Sequence, residues 1–235
     1  MSIYGLLIGI GIYLGISRFQ KLNNVVPKSL ENKFILFLII FSIIGARLYH
    51  VADYWQYYKL HLLQIPNTRA GGLGIFGAII ASFIYTTLFC IKHKINIFTL
   101  INIIIPSLAL GQSIGRLGNY FNTEVFGKPT YIDFGQYIPT DLRPPQYSSY
   151  SYFHPVWLYE SIVMFFIYLF IKNKIRPTAW YLFLFGITRL FLDFLRFDTW
   201  TINQVKISQI LSIAMIVVGL STLFIKNIAS RHPQK

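Results

Sequence analysis

Cysteine occurs once in the sequence, at Cys90. No disulfide therefore closes within the chain, and inside an apolar run that thiol reads as a packing residue. Charge is scarce as well. Only 12% of residues are charged, and the acids number 8 against 21 Lys and Arg. No set of His, Cys and carboxylates has the spacing of a metal site, no serine sits in a nucleophile motif, and no loop suits a nucleotide. Internal repeats are missing too, which weighs against a transporter built from two related halves.

Apolar residues take up the room: 54% of the 235 residues are hydrophobic and the mean hydropathy is +0.53. A soluble domain of this size lacks the interior to hide so much apolar surface. Seven weakly charged windows are each long enough for a hydrocarbon core of about 30 Å. They are 2–17, 34–54, 72–91, 97–114, 155–171, 178–196 and 207–225. The first lacks the basic start and cleavage site of a signal peptide and is read as a span. Twelve Lys and Arg fall in inter-span segments with the single acid Glu31, while the other nine share theirs with seven acids. The more basic set is expected to be cytoplasmic, which puts the N-terminus outside and the C-terminus inside. The basic excess then reports topology and attraction to anionic lipid, not nucleic acid.

The expected fold is an all-α polytopic membrane protein, a single transmembrane domain over 1–235 with seven helices. Residues 55–70, with Lys59 and His61 among aromatics, read as an interfacial helix. Residues 120–154, rich in Tyr, Pro, Gly and Ser, read as an irregular external arm.

Depth along the spans sorts the polar residues. At about 1.5 Å per residue, Arg116 lies roughly 28 Å along the fourth span, and Arg189, Asp193 and Arg196 roughly 16, 22 and 27 Å along the sixth. Those last three share a helix face. Glu160 lies about 8 Å below the outer surface and Arg47 about 20 Å from the inner one. A local ion pair or interfacial snorkelling explains any one of them alone. Gathered in the outer half of the bilayer, they point to a polar cavity. Arg47, Arg116, Arg189 and Arg196 outnumber Glu124, Glu160 and Asp193, and the guanidinium fork suits phosphate, so an anionic phospholipid headgroup is the expected ligand. Asn119, Asn122 and Glu124 would hold hydroxyls or orient the arginines. Gly115, Gly118 and Gly127 allow close backbone approach where the span breaks into the arm.

Residues 115–127 read GRLGNYFNTEVFG. The stretch resembles the signature of the bacterial prolipoprotein diacylglyceryl transferases, Gly-Arg-x-Gly-Asn-x-x-Asn-x-Glu-x-x-Gly, at all seven fixed positions. Tyr4-Gly5, the GARL at 45–48, the Gly-Gly-Leu at 71–73, His154-Pro155 with Leu158-Tyr159-Glu160, and the set Gly186, Arg189, Asp193 and Arg196 are similar to further family elements. They occur in family order across almost the whole chain.

The resemblance implies transfer of the diacylglyceryl group of phosphatidylglycerol to the lipobox cysteine of a prolipoprotein signal peptide, with no cofactor and no metal. It implies a multi-pass protein of the bacterial inner membrane. Arg116 and Arg189 would stabilise the leaving phosphate. Glu124, Asn119 and Asn122 would bind the headgroup, and Tyr4, Arg47, Gly127, Tyr159, Glu160, Asp193 and Arg196 would complete the substrate site. One departure stands out: Phe76, in GGLGIFGA, takes a position where the family usually has His or Tyr. Arg69-Ala70 also replaces an aromatic-acidic pair. His154 is then the candidate base. A catalytically altered relative that binds phospholipid or preprotein is the second reading, and a small transporter of an anionic lipid the third.

Overall fold

A computed structural model of the chain describes residues 3–68, 71–197, 201–202 and 205–229. Among them run α1 (Ile3–Leu22), α2 (Lys28–Asp53), the single turn α3 (Trp55–Tyr58), α4 (Ile75–His93), α5 (Ile97–Gly118), α6 (Val156–Ile171), α7 (Pro177–Leu195) and α8 (Ile207–Ala229). Four two-residue strands also occur among the described residues: β1 (Gln136–Tyr137), β2 (Tyr152–Phe153), β3 (Thr201–Ile202) and β4 (Val205–Lys206). Among the described residues, six helices are long and apolar enough to cross a membrane, while α6 is apolar but has 16 residues, about 24 Å of rise. The chain is thus a mostly helical, polytopic membrane protein. Contacts divide it into two units, one from Met1–Lys21 with Asn102–Lys235 and one from Leu22–Ile101.

In the first unit, α1 lies on α5 so closely that a Cβ on Gly11 would stand 2.8 Å from the Gly111 carbonyl oxygen. Small residues let membrane helices approach this far and gain dispersion contacts that lipid cannot supply. The interface of α7 with α8 repeats the device, with Gly186 against the Ser212 carbonyl and Gly219 against Phe183. Ala109, Met164, Ile167, Ile171 and Tyr181 form a buried cluster from α5, α6 and α7.

The arm is more ordered than its composition suggests. β1 and β2 pair antiparallel, Gln136 opposite Phe153, and Phe126, Ile138 and Phe153 make a small core under Tyr147 and Phe197. Backbone bonds pin it to the helices: Lys128 N–H donates to the Leu195 carbonyl at 2.7 Å and Trp157 N–H to the Val125 carbonyl at 3.0 Å.

In the second unit, α2 crosses α4 at Gly45 and Gly77, where an added Cβ would collide with the facing backbone. Beyond the crossing, the segment expected as an interfacial helix breaks into α3 and a 3₁₀ turn at Leu62–Gln64; its last two residues, 69 and 70, lie outside the described residues. Arg47, on α2, donates to the carbonyls of Gln64 and Ile65 at 2.7 and 2.6 Å. The same group takes the carbonyls of Gly71 and Gly72 at 3.1 Å each. Those two glycines adopt positive φ, 87° and 73°, which they reach without a side-chain penalty.

Candidate active site

Glu160 is fully buried one turn into α6, facing α5 and α7. An isolated carboxylate there would be strongly destabilising. Two arginines answer it. Arg116, in the last turn of α5, donates from Nη2 to Oε1 at 2.9 Å, and Arg189 Nη1 stands 3.5 Å from Oε2. Both guanidiniums keep partial access to solvent, 27% and 19% exposed, where the carboxylate has none. Among the described residues, Glu160 Oε2 and Arg116 Nε are buried without a hydrogen bond. Buried polar atoms are rarely left so.

The motif that follows α5 folds into a tight polar turn. Glu124 accepts the side-chain amides of Asn119 at 3.2 Å and Asn122 at 3.3 Å, one on each oxygen. Its neighbours Thr123 and Val125 hold φ of 54° and 58°. The left-handed region costs a β-branched residue about 1 kcal/mol or more, and such strain is kept where surrounding contacts fix it. Here the Val125 carbonyl accepts the Trp157 amide, and the Glu124 amide donates to the Asn119 carbonyl at 2.9 Å. A cavity of about 380 Å³ opens on this turn, lined by residues 123–126 and Phe197.

The remaining first-unit candidates gather around these two centres. Arg189 lies within electrostatic reach of Glu160, Arg196, Arg116 and Asp193, and Tyr4 of Glu124 and Arg116. The Tyr4 ring packs over Gly118. Asp193 is buried and accepts Ser208 Oγ at 2.8 Å, while Lys206 Nζ donates to its backbone carbonyl at 2.9 Å. His154 Nδ1 and the Tyr159 hydroxyl hydrogen-bond at 3.2 Å. Burial lowers the His154 pKa below its ordinary value, because charging a half-buried imidazole costs solvation. Gly127 has no room for a side chain: a Cβ would stand 2.7 Å from the Leu195 carbonyl oxygen, and its N–H is given to His154.

Two candidates belong to the second unit and are described within it. Arg47 is buried, its donors taken by four backbone carbonyls and its guanidinium 5.1 Å over the Tyr58 ring. Phe76, in the first turn of α4, packs against Tyr49 with ring centroids 5.9 Å apart. Within the first unit the arginines and carboxylates named from the sequence balance three against three, since Arg47 was the surplus cation.

Some supporting residues carry no motif signal. Tyr181 donates to Gln112 Oε1 at 2.8 Å and Ser161 to the Ser113 carbonyl at 2.6 Å, tying α7 and α6 to α5 around Glu160. A polar residue amid an apolar span is the only trace they leave in the sequence. Among the described residues, no three of His, Cys, Asp and Glu gather as metal ligands would.

Taken together, the fold and the cluster define a polytopic helical membrane protein with an arginine–carboxylate centre buried between spans. A family profile described as prolipoprotein diacylglyceryl transferase matches residues 1–225. The chain belongs to that family. It is similar to proteins named phosphatidylglycerol–prolipoprotein diacylglyceryl transferase from several bacteria. The one from Thermosynechococcus vestitus is 33% identical over 233 residues, covering 94% of this chain and 87% of the relative. That from Synechococcus elongatus is 36% identical over 234 residues, 92% and 80%. That from Finegoldia magna is 34% identical over 228 residues, 92% and 88%. These matches favour an enzyme over a transporter.

Proposed function

We propose that this chain transfers the diacylglyceryl group of phosphatidylglycerol to the thiol of the lipobox cysteine in a prolipoprotein. The cysteine thiolate attacks the glycerol carbon that bears the phosphate ester; a C–S bond forms, the C–O bond breaks, and glycerol 1-phosphate leaves with the electron pair. The observation that carries this reading is the pair of arginines held on one buried carboxylate, Arg116 and Arg189 on Glu160, in a chain of this family. Glu160 holds the guanidiniums in place, and the phosphate draws them towards itself as negative charge builds on the leaving oxygen. Arg116 Nε, without a partner among the described residues, supplies a donor that no rearrangement has to release.

Glu124, fixed by Asn119 and Asn122, accepts hydrogen bonds from the hydroxyls of the glycerol headgroup. His154, neutral at pH 7 and oriented by Tyr159, takes the thiol proton. Asp193, Arg196 and Tyr4 set the field around the arginines, and Gly127 keeps the arm close to α6 and α7. Arg47 shapes the turn that follows α3. No cofactor enters the reaction. The six long helices and the shorter α6 span the bacterial inner membrane, with the N-terminus outside, the C-terminus in the cytoplasm and the Glu160 centre towards the outer leaflet.

The product tests the reading. The purified chain in phosphatidylglycerol liposomes should release glycerol 1-phosphate only when a lipobox peptide with a free thiol is added. Release with a serine-substituted peptide, or none with either, would refute thiol-dependent transfer.

A further inference from the structure

At the far ends of α6, α7 and α8, a second cavity of about 630 Å³ lies roughly 16–20 Å along the helices from the Glu160 centre. Its walls are apolar, with Trp180, Phe183, Leu220 and Phe224 among them, and its rim carries Lys174 and Arg176. Both cations are held in place. Arg176 donates from Nη1 to the carbonyls of Thr222 and Leu223 at 2.9 and 3.1 Å, which ties the start of α7 to the C-terminal half of α8. Lys174 Nζ stands 4.4 Å over the Phe170 ring, which fixes the ammonium beside the opening.

Nothing in the surrounding sequence offsets this charge. Neither residues 161–192 nor residues 199–235 contain an Asp or Glu, whereas Lys172, Lys174 and Arg176 follow one another at alternate positions. A basic cleft with apolar walls at the end of membrane helices matches one chemistry: a phosphate at the rim with an acyl chain below it. Phe224 and Ile175 are exposed at 65% and 93%, as residues in contact with acyl chains and interface would be.

We infer that this cleft is a second anionic-phospholipid site, distinct from the transfer centre, whose lipid bridges the α6–α7 turn to the end of α8. The lipid's phosphate sits between Lys174 and Arg176 and one acyl chain runs along Trp180 and Phe183 towards Leu220 and Phe224. It is bound and not consumed, since no nucleophile or base lines the cleft.

Photolabelling of the full-length protein in liposomes tests this. The probes are phosphatidylglycerol and phosphatidylcholine, each with a diazirine in one acyl chain, and labelled peptides are mapped by mass spectrometry. The phosphatidylglycerol probe should label peptides spanning 173–183 and 220–224 at least about fivefold more than the choline probe. Lys174→Gln should lower that labelling about fivefold, and Lys174→Glu further. Arg116→Ala should leave it intact, which separates this cleft from the transfer centre. Equal labelling by both probes, or an anionic preference that survives Lys174→Glu, would overturn the site.

Discussion

In the proposed reaction the chemistry depends on Arg116 and Arg189 held on Glu160, and the roles of Arg116 and Glu160 answer to separate tests. Arg116→Ala should lower kcat/KM for transfer about 10²- to 10³-fold, the usual cost of removing one donor from a developing oxyanion. Arg116→Lys should recover little, because an ammonium lacks the planar fork with which one guanidinium can hold both Glu160 and a phosphate. Glu160→Gln leaves two guanidiniums facing each other. It should lower stability by roughly 3 kcal/mol in a denaturant titration, the low end for a broken buried pair because the arginines are partly hydrated; a loss under about 0.5 kcal/mol would contradict the central role given to Glu160.

His154 gives a pH signature. Burial depresses its pKa below the ordinary 6.5, so the folded protein binds fewer protons there than the unfolded chain. The stability from the neutral imidazole is complete above about pH 6.5 and is lost as pH falls through the lowered value. If His154 takes the thiol proton, activity should hold through pH 6.5 and fall below it, and His154→Gln should flatten that acid limb while lowering the plateau. An unchanged profile in the variant would assign the proton to another group. At this scale the sequence carried the turn well, since Arg116, Asn119, Asn122 and Glu124 are neighbours in one motif. It did not carry the pairing of Arg116 with a glutamate 44 residues away, nor the carbonyl cradle around Arg47, because neither follows from local spacing.

Helix ends were legible where polarity changes abruptly. The sixth and seventh windows, 178–196 and 207–225, match the start of α7 and α8 to within one residue. The second window began at 34, but α2 begins at Lys28, because a helix need not stop where the bilayer does. There Asn23 Nδ2 donates to Glu31 at 2.7 Å and Lys28 pairs with Glu31 at 3.0 Å, securing a polar first turn. Order in the arm was hidden for a related reason: its small core draws Phe126, Ile138, Phe153 and Phe197 from distant positions, and no periodic pattern links them. The close crossing of α1 and α5 predicts a contrast between two glycines on one helix. Gly11→Val should lower the thermal midpoint in detergent by roughly 3–10 °C through overpacking. Gly9→Ala should change it little, as a Cβ there meets nothing within 4 Å. Equal effects would mean that the α1–α5 contact is not tight.

For the whole molecule, charge asymmetry is the feature that the sequence shows most directly, and it implies a direction across the membrane. With Cys90 buried, new thiols can be read against a low background. In spheroplasts a membrane-impermeant reagent should reach Tyr131→Cys in the arm and spare Ile175→Cys at the α6–α7 turn; both native side chains are at least 90% exposed. The reverse pattern would invert the proposed topology and move the Glu160 centre to the inner leaflet.

Phe76 bears on the same scale, at a position where the resemblance implies a polar ring. It packs on Tyr49 and has no group that accepts a proton, so the chemistry has to proceed without it. The most direct measurement is the mass of a lipobox peptide after incubation with the purified chain in phosphatidylglycerol liposomes, beside Arg116→Ala and Phe76→His. A diacylglyceryl mass gain from the native chain, lost in Arg116→Ala, is the expected result. No gain from the native chain, with gain restored only by Phe76→His, would contradict it.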